Sequence, residues 1–256
     1  MENNNQSDIV IGRNAVNEVI RSGREIDKIF VSRNMPPQLK PIIAKCREKN
    51  LLIKEVDSKK LDFLSGNGVH QGIIAIVASH NYCEVEDILN FAKQKNEPPF
   101  IIICDEIEDP HNLGAIIRTA EACSAHGIII PKRRSASLNA TVAKSACGAL
   151  EYMNVARVTN IVSVINDLKK QNIWVYAADM DGENWCSTDF SGGCALVIGS
   201  EGRGVGALVK KSCDSVVSMP MCGKINSLNA SVAAGILMYE VIRQRQGLTA
   251  VNNSKG

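Results

Sequence analysis

A two-domain α/β architecture follows from three features of this 256-residue chain. Strand-like and helix-like segments alternate along it, the strands of its second half are wholly apolar, and Pro98-Pro99 separates the two parts. Alternation of this kind builds sheets that are at least partly parallel. Apolar strands without polar alternation mark a sheet covered on both faces, so the second part is expected to be doubly wound.

In the first eighty residues a helix around 14–21 leads to a strand at 26–31. A second helix near 38–49, following Pro36-Pro37, leads to a strand at 51–56, and 73–78 is a third strand. Together they form a small α/β unit, residues 1–80. Residues 81–99 carry Glu84, Glu86, Asp87 and Glu97 against Lys93 and Lys95, and read as an acidic linker. Neither proline of its closing Pro-Pro step can donate a backbone hydrogen bond, so the break between domains falls there. The second domain spans 100–247, with strands expected at 100–104, 127–130, 173–177, 195–198 and 216–219. Its helices are expected near 114–124, 161–170, 205–211 and 230–245, and a flexible polar tail covers 248–256.

Composition narrows the function classes. With 45% hydrophobic and 22% charged residues the chain buries a real core and is neither disordered nor fibrous. No apolar run approaches the roughly 20 residues of a membrane span, and the Asn-rich start lacks the apolar region of a secretory signal, so a cytoplasmic location is expected, with no membrane partner. The nine cysteines stand singly, without a CxxC pair, and the four histidines show no ligand spacing. Structural zinc is therefore not expected, nor any other metal site. The apolar neighbours of Cys104, Cys123 and Cys147 suit reduced, buried thiols.

A net charge of +2 conceals an uneven distribution. Residues 8–80 hold twelve basic and eight acidic side chains, and 122–150 holds Lys132, Arg133, Arg134 and Lys144 with no acid. Such stretches suit a polyanion, although a solvated face has the same composition.

In open α/β sheets the ligand crevice lies beyond the carboxyl ends of the strands, which directs attention to three loops. The first follows 100–104 and contains Asp105, Glu106, Glu108 and Asp109, then Asn112 near a helix start and Arg118 about one and a half turns further on. Ordinary capping by Asn112 and a surface Arg118 would look the same. The second, Gly199-Ser200-Glu201-Gly202-Arg203-Gly204-Val205-Gly206, places four glycines within eight residues directly after a strand. Glycines let backbone N–H groups approach a ligand, yet the spacing fits neither dinucleotide nor P-loop patterns, and a tight turn remains open. The third runs from Met219-Pro220-Met221 to Ser227-Leu228-Asn229 before a helix on which Val232, Ile236, Tyr239 and Ile242 recur at helical spacing, a stripe expected to face the sheet. Ser227 and Asn229 both suit caps, and the Met-Pro-Met segment suits an adenine.

Taken together, Asn112-Leu113-Gly114-Ala115-Ile116-Ile117-Arg118-Thr119-Ala120, Ile198-Gly199-Ser200-Glu201-Gly202, and Met219-Pro220-Met221 with Ser227-Leu228-Asn229-Ala230-Ser231-Val232-Ala233 resemble the three signature motifs of the SpoU, or TrmH, family of RNA ribose 2′-O-methyltransferases, of the SPOUT class. Ile11-Gly12-Arg13-Asn14-Ala15-Val16 and Val69-His70-Gln71-Gly72-Ile73 resemble the amino-terminal domain of the subgroup that methylates a guanosine ribose in large-subunit (23S) ribosomal RNA.

The resemblance implies an α/β knot domain, with a parallel sheet and a trefoil knot, behind a smaller L30e-like RNA-binding domain. It implies S-adenosylmethionine (AdoMet) as cofactor, held by Gly199, Glu201, Gly202, Met219 and Leu228, and a homodimer whose protomers build each site between them. Asn112, Arg118, Glu201, Ser227 and Asn229 become the catalytic set. In the family the residue matching Arg118 is the proposed activator of the 2′-hydroxyl. A guanidinium rarely gives up its proton, so an electrostatic role, bridging the adjacent phosphate and the developing alkoxide, suits it better. Asn112, Glu201, Ser227 and Asn229 would orient Arg118, ribose and cofactor. Met219 stands where the family often has a branched aliphatic residue. At 4% aromatic content, stacking platforms are scarce, and shape and phosphate contacts are expected to dominate recognition. The competing readings are a transfer RNA substrate, a catalytically silent RNA-binding module, and a base-carbon methyltransferase using Cys222 as nucleophile.

Overall fold

The structure, a computed structural model, describes residues 9–78, 80–225 and 227–248. The tail expected to be flexible lies, from 249 on, outside the described residues. The chain divides into two compact units, one of residues 1–81 with 137–143 and the other of 82–136 with 144–256.

The first unit carries a four-stranded sheet in the order β1-β4-β2-β3, formed by β1 (Ile9–Ile11), β2 (Ile26–Ser32), β3 (Ile53–Val56) and β4 (Ile73–Val77). β2 and β3 run parallel, while β4 is antiparallel to β2 and to β1. The helices α1 (Arg13–Ser22), α2 (Lys40–Glu48) and α3 (Ser58–Ser65) complete it. Val16, Ile20, Ile29, Leu39, Ile43, Ile73 and Val77 make its core. β1 and α3 lie beyond the expected elements: β1 is three residues long, too short for its period to register, whereas α3 announces itself through Asp57, which accepts from the Lys60 N–H at 2.8 Å as its N-cap.

The second unit starts at Tyr82 rather than after Pro98-Pro99. The stretch read as a linker forms α4 (Val85–Lys95), and Ile88 and Ala92 are buried in it. Its acids sit in the first turn and its lysines in the last, where the helix dipole favours them, and the Glu84 N–H donates to Asp87 at 2.9 Å. The charges that suggested a connector are therefore end-signals of a helix.

Six parallel strands follow: β5 (Phe100–Cys104), β6 (Gly127–Pro131), β7 (Val155–Val158), β8 (Trp174–Asn184), β9 (Cys194–Ile198) and β10 (Ser215–Ser218). Their order, β10-β8-β9-β5-β6-β7, inserts β9 between β5 and β8, so the winding reverses beside β9. The helices are α5 (Pro110–Ala122), α7 (Ile161–Lys170), α8 (Ala207–Ser212) and α9 (Ala230–Arg245), and α6 (Ala140–Ala146) begins in the 137–143 segment grouped with the first unit. Every residue of β5 and β9 is buried, as a doubly covered sheet requires.

Two departures matter for function. β8 outlasts its expected end at 177: β10 pairs first with Tyr176 and Ala177, then shifts register to Glu183 and Asn184, so residues 178–182 bow out between the paired stretches. On α9 the buried face is Ala230, Ala234, Leu237, Met238 and Val241, whereas Val232 and Tyr239 are 50% and 57% exposed. This helix is apolar on more than one side, and periodicity alone does not select the face that meets α5 and β9. Cys46, Cys104, Cys123 and Cys194 are buried, and burial pushes their thiols up to about 11 or 12, keeping them neutral. Cys147, Cys186 and Cys222 are instead exposed. Among the described residues no cluster of His, Cys, Asp or Glu could hold a metal ion, and no helix is long and apolar enough to cross a membrane.

Candidate active site

The loop after β9 is locked by backbone geometry. Ser200 and Gly204 exchange two backbone hydrogen bonds, at 3.1 and 2.9 Å, closing a five-residue turn, and Gly202 at its centre adopts a φ of +84°. A Cβ at Gly199 would run into the backbone of Gly204 and Val205, so only glycine fits there. Residues 199–204, the closed turn with the glycine before it, line one wall of a cleft.

That cleft, of about 270 Å³, lies at the bowed middle of β8 and at the carboxyl ends of β9 and β10. Ile198, Val217, Met219, Met221 and Leu228 supply apolar walls, and Asp179, Ser200, Glu201 and Ser227 a polar rim. The bowed segment of β8 contributes Asp179 and Met180, which the expected strand ending at 177 did not reach. Lys210 holds Asp179 at 2.9 Å and Asp181 at 2.7 Å, and these two carboxylates raise the lysine pKa. An acid followed by a lysine some thirty residues later carries no sequence signal that the two meet.

At the edge of the cleft three distant residues converge. Asn112, in the first turn of α5 and 7% exposed, donates from Nδ2 to Glu201 Oε1 at 2.9 Å. Asn229 Nδ2 donates to Asn112 Oδ1 at 2.9 Å and also to Glu201 Oε1. The remaining oxygen of Asn229 accepts from the N–H groups of Ser231 and Val232, capping α9. Asn112 is not a cap: Asp109 caps α5 by accepting from the His111 N–H at 2.9 Å, with Pro110 as the first helical residue. Its amide is thereby free for Glu201.

Asp105, one of the four acids of the first loop, braces this arrangement. Its Oδ2 accepts from the Gly206 N–H at 2.8 Å while its own N–H donates to Ile198 O, tying the loop after β5 to both ends of the glycine turn. Burial pushes its carboxyl pKa up.

Of the expected site residues, Gly199, Glu201, Gly202, Met219, Ser227 and Leu228 all line the cleft, and Asn112 and Asn229 join it through Glu201. Arg118 stands apart. It is exposed on α5, and its Nη1 contacts Cys147 Sγ at 3.4 Å rather than Asn112, Glu201, Ser227 or Asn229. Six residues of helix place it about 9 Å along the axis from Asn112 and on a different face. Cys222 does not line the cleft, although its neighbour Met221 does.

The family description "SpoU rRNA Methylase family" matches residues 99–239, more than half of the chain. This protein belongs to the SpoU methylase family. A second description, "RNA 2′-O ribose methyltransferase substrate binding", matches residues 9–83. Among its SpoU relatives is YacO of Bacillus subtilis (strain 168), assigned to the TrmH family of tRNA/rRNA methyltransferases; it is 48% identical over 94% of this chain and 97% of its own length. A TrmH-family protein of Staphylococcus haemolyticus is 42% identical over 93% and 96%. Two solved structures share the fold of this SpoU protein. The SpoU methyltransferase AviRb from Streptomyces viridochromogenes, in complex with AdoMet, aligns at a TM-score of 0.59 and 23% identity, over 93% of this chain and 90% of that one. An AdoMet-bound rRNA methyltransferase from Sinorhizobium meliloti gives 0.56 and 23%, over 94% and 88%.

Proposed function

We propose that this SpoU-family RNA methyltransferase uses AdoMet to methylate a ribose 2′-hydroxyl, and that its target is a guanosine of 23S ribosomal RNA. The observation that carries the reading is the Asn112–Glu201–Asn229 triangle, which binds three loops together at the rim of a cleft suited to AdoMet. The cleft fits that cofactor in kind: Met219, Met221 and Leu228 offer apolar, adaptable walls for an adenine, and the glycine turn that lines it closes tightly enough that Gly199 has no room for a side chain. Bound there, AdoMet would supply an electrophilic sulfonium methyl group.

The chain's own task is then positioning. Glu201, held by two amides, is kept in one orientation beside the cleft and, with Ser227, is placed to orient ribose or cofactor hydroxyls. Arg118 acts through charge, holding the phosphate next to the target and stabilising the oxyanion that forms on the 2′-oxygen, with phosphate or water accepting the hydroxyl proton. Because Arg118 lies apart from the cleft of its own chain, the reading includes a homodimer whose second protomer helps complete each site. The exposed apolar stripe Val232, Ile236 and Tyr239 on α9 supports that assembly.

The match of residues 9–83 to a ribose methyltransferase substrate-binding description supports the choice of ribose over base, and of RNA as partner. Ribose-methylation mapping of total RNA from a deletion strain tests the substrate. Loss of one 2′-O-methylguanosine from 23S ribosomal RNA is expected; a site lost from transfer RNA would reassign the substrate, and an unchanged map would overturn the reading.

A further inference from the structure

Glu106 joins two arginines, one of which lines the cleft, and none of the three has a part in the reading above. Glu106 follows β5, Arg134 follows β6, and Arg203 belongs to the glycine turn after β9 and lines the cleft. Glu106 gives one oxygen to each arginine: Arg134 Nη1 donates to Oε1 at 2.8 Å, and Arg203 Nη1 lies 3.5 Å from Oε2. The glutamate side chain is 28% exposed, the two arginine side chains 67% and 76%, so both guanidiniums keep most of their N–H edges free.

The frame beneath them is fixed. Glu106 and Arg134 both adopt left-handed backbone, with φ of +57° and +53°, a conformation disfavoured for side-chain-bearing residues and found where the surroundings impose it. The Ala136 N–H donates to Ile107 O at 2.8 Å, joining the two loops just beyond these residues, and Asp105 anchors the glycine turn at Gly206. Exposed ion pairs add little to stability, so this arrangement is poorly explained as a brace. What it produces is two guanidiniums sharing a single carboxylate, net positive, with Arg203 on the lining of the cleft proposed for AdoMet. Planar guanidiniums with free edges match phosphate oxygens in both geometry and charge.

We propose that Arg134 and Arg203 clamp one RNA backbone phosphate, and that Glu106 is a positioning residue that sets the spacing and direction of the two arginines. The proposal rests on the RNA methyltransferase reading and names a binding element within it. Such a clamp would hold the RNA strand where it crosses the cleft, independently of Arg118. The other anion within reach in kind is the carboxylate of AdoMet itself, and the test separates the two.

The test uses the full-length protein and a 23S ribosomal RNA transcript, with filter binding between 50 and 300 mM KCl and AdoMet titration calorimetry alongside. For the double substitution Arg134→Ala, Arg203→Ala, the slope of log Kd for RNA against log salt should fall by about 0.7–0.9, the share of one phosphate. AdoMet affinity should stay unchanged. Glu106→Gly, which suits the left-handed backbone and keeps the fold, should raise the KM for RNA several-fold while leaving kcat and AdoMet affinity near wild type. Glu106→Gln, still able to accept from arginine, should recover part of that loss. An unaltered salt slope in the double variant, or tighter RNA binding after removal of Glu106, overturns the clamp alone. Loss of AdoMet affinity reassigns the arginines to the cofactor carboxylate and also overturns it. A wild-type protein that binds no RNA would sink the clamp and the methyltransferase reading together.

Discussion

Asn112 and Glu201, 89 positions apart in the chain, are joined by a 2.9 Å hydrogen bond from amide to carboxylate, and Asn229 closes the triangle from the cap of α9. Three loops that leave different strands are thereby made one unit. A carboxylate held in this way loses rotational freedom before any ligand arrives, which is the property a positioning site needs.

Asn229 serves two ends at once, and substitution separates them. Asn229→Ser keeps a good cap and removes the amide, so stability should stay within a few tenths of a kcal/mol of wild type, whereas Asn229→Ala should cost about 1 kcal/mol. Both should lower kcat by roughly 10²-fold if preorganisation of Glu201 is what the amide provides. Thermal melts and single-turnover methyl transfer check this; full activity in the serine variant would remove the triangle from the mechanism.

If the guanidinium acts on the acceptor as proposed, Arg118→Ala should leave AdoMet affinity intact and reduce turnover by at least about 10²-fold. Its neighbour in the structure is the Cys147 thiol, not a residue of the cleft. Calorimetry with AdoMet together with tritiated methyl incorporation decides it, and weakened cofactor binding would refute the assignment.

Gly199→Ala tests the cradle. The added methyl meets the backbone of Gly204 and Val205, which cannot swing aside as a side chain could. A loss of about 1–3 kcal/mol in urea unfolding is expected, with AdoMet binding abolished. Wild-type cofactor affinity would mean that the glycine turn does not touch the cofactor.

Stability should carry a histidine titration. The His126 side chain is 1% exposed; its Nδ1 accepts from the Phe100 N–H at 3.0 Å, and Nε2, 3.0 Å from Glu97, is left to carry the proton. Burial lowers its pKa from the usual 6.5, against the opposing pull of Glu97. With the folded pKa depressed, the unfolded chain takes up the proton first. The contribution of His126 is therefore complete above about pH 6.5 and is lost progressively as pH falls through the folded value. Melting temperature should be flat from pH 8 to 7 and then decline, and His126→Gln should lack that component.

Cys222→Ala should leave methyl transfer unchanged. The thiol is exposed and lies outside the residues that form the cleft. A dead variant would revive a cysteine-nucleophile mechanism.

Much of this was legible in the chain. The strands at 100–104 and 195–198 and the helices at 161–170 and 230–245 sit where apolar runs and periodicity put them, to within a residue. Asn112, Glu201, Ser227 and Asn229 were singled out by the joint resemblance of their three segments to the SpoU motifs; loop by loop, ordinary caps and a tight turn stayed open. Illegible were the helix at Val85–Lys95, whose acidic first turn imitates a linker, and the pairings of Asp179, Lys210 and Asp105, whose partners are distant in sequence.

What the sequence determined by itself is therefore local: which segments become strands or helices, and which loops carry glycine, asparagine and acid where a ligand site needs them. Only the tertiary structure decided which face of α9 is buried, that β8 bows out to deliver Asp179 to the cleft, and that Asn112 meets Glu201 while Arg118 does not. The physical reason is range. Propensity, capping and periodicity act over a few residues, whereas these outcomes depend on which strand is inserted beside which, and the β10-β8-β9-β5 order is set by burial summed over the whole sheet.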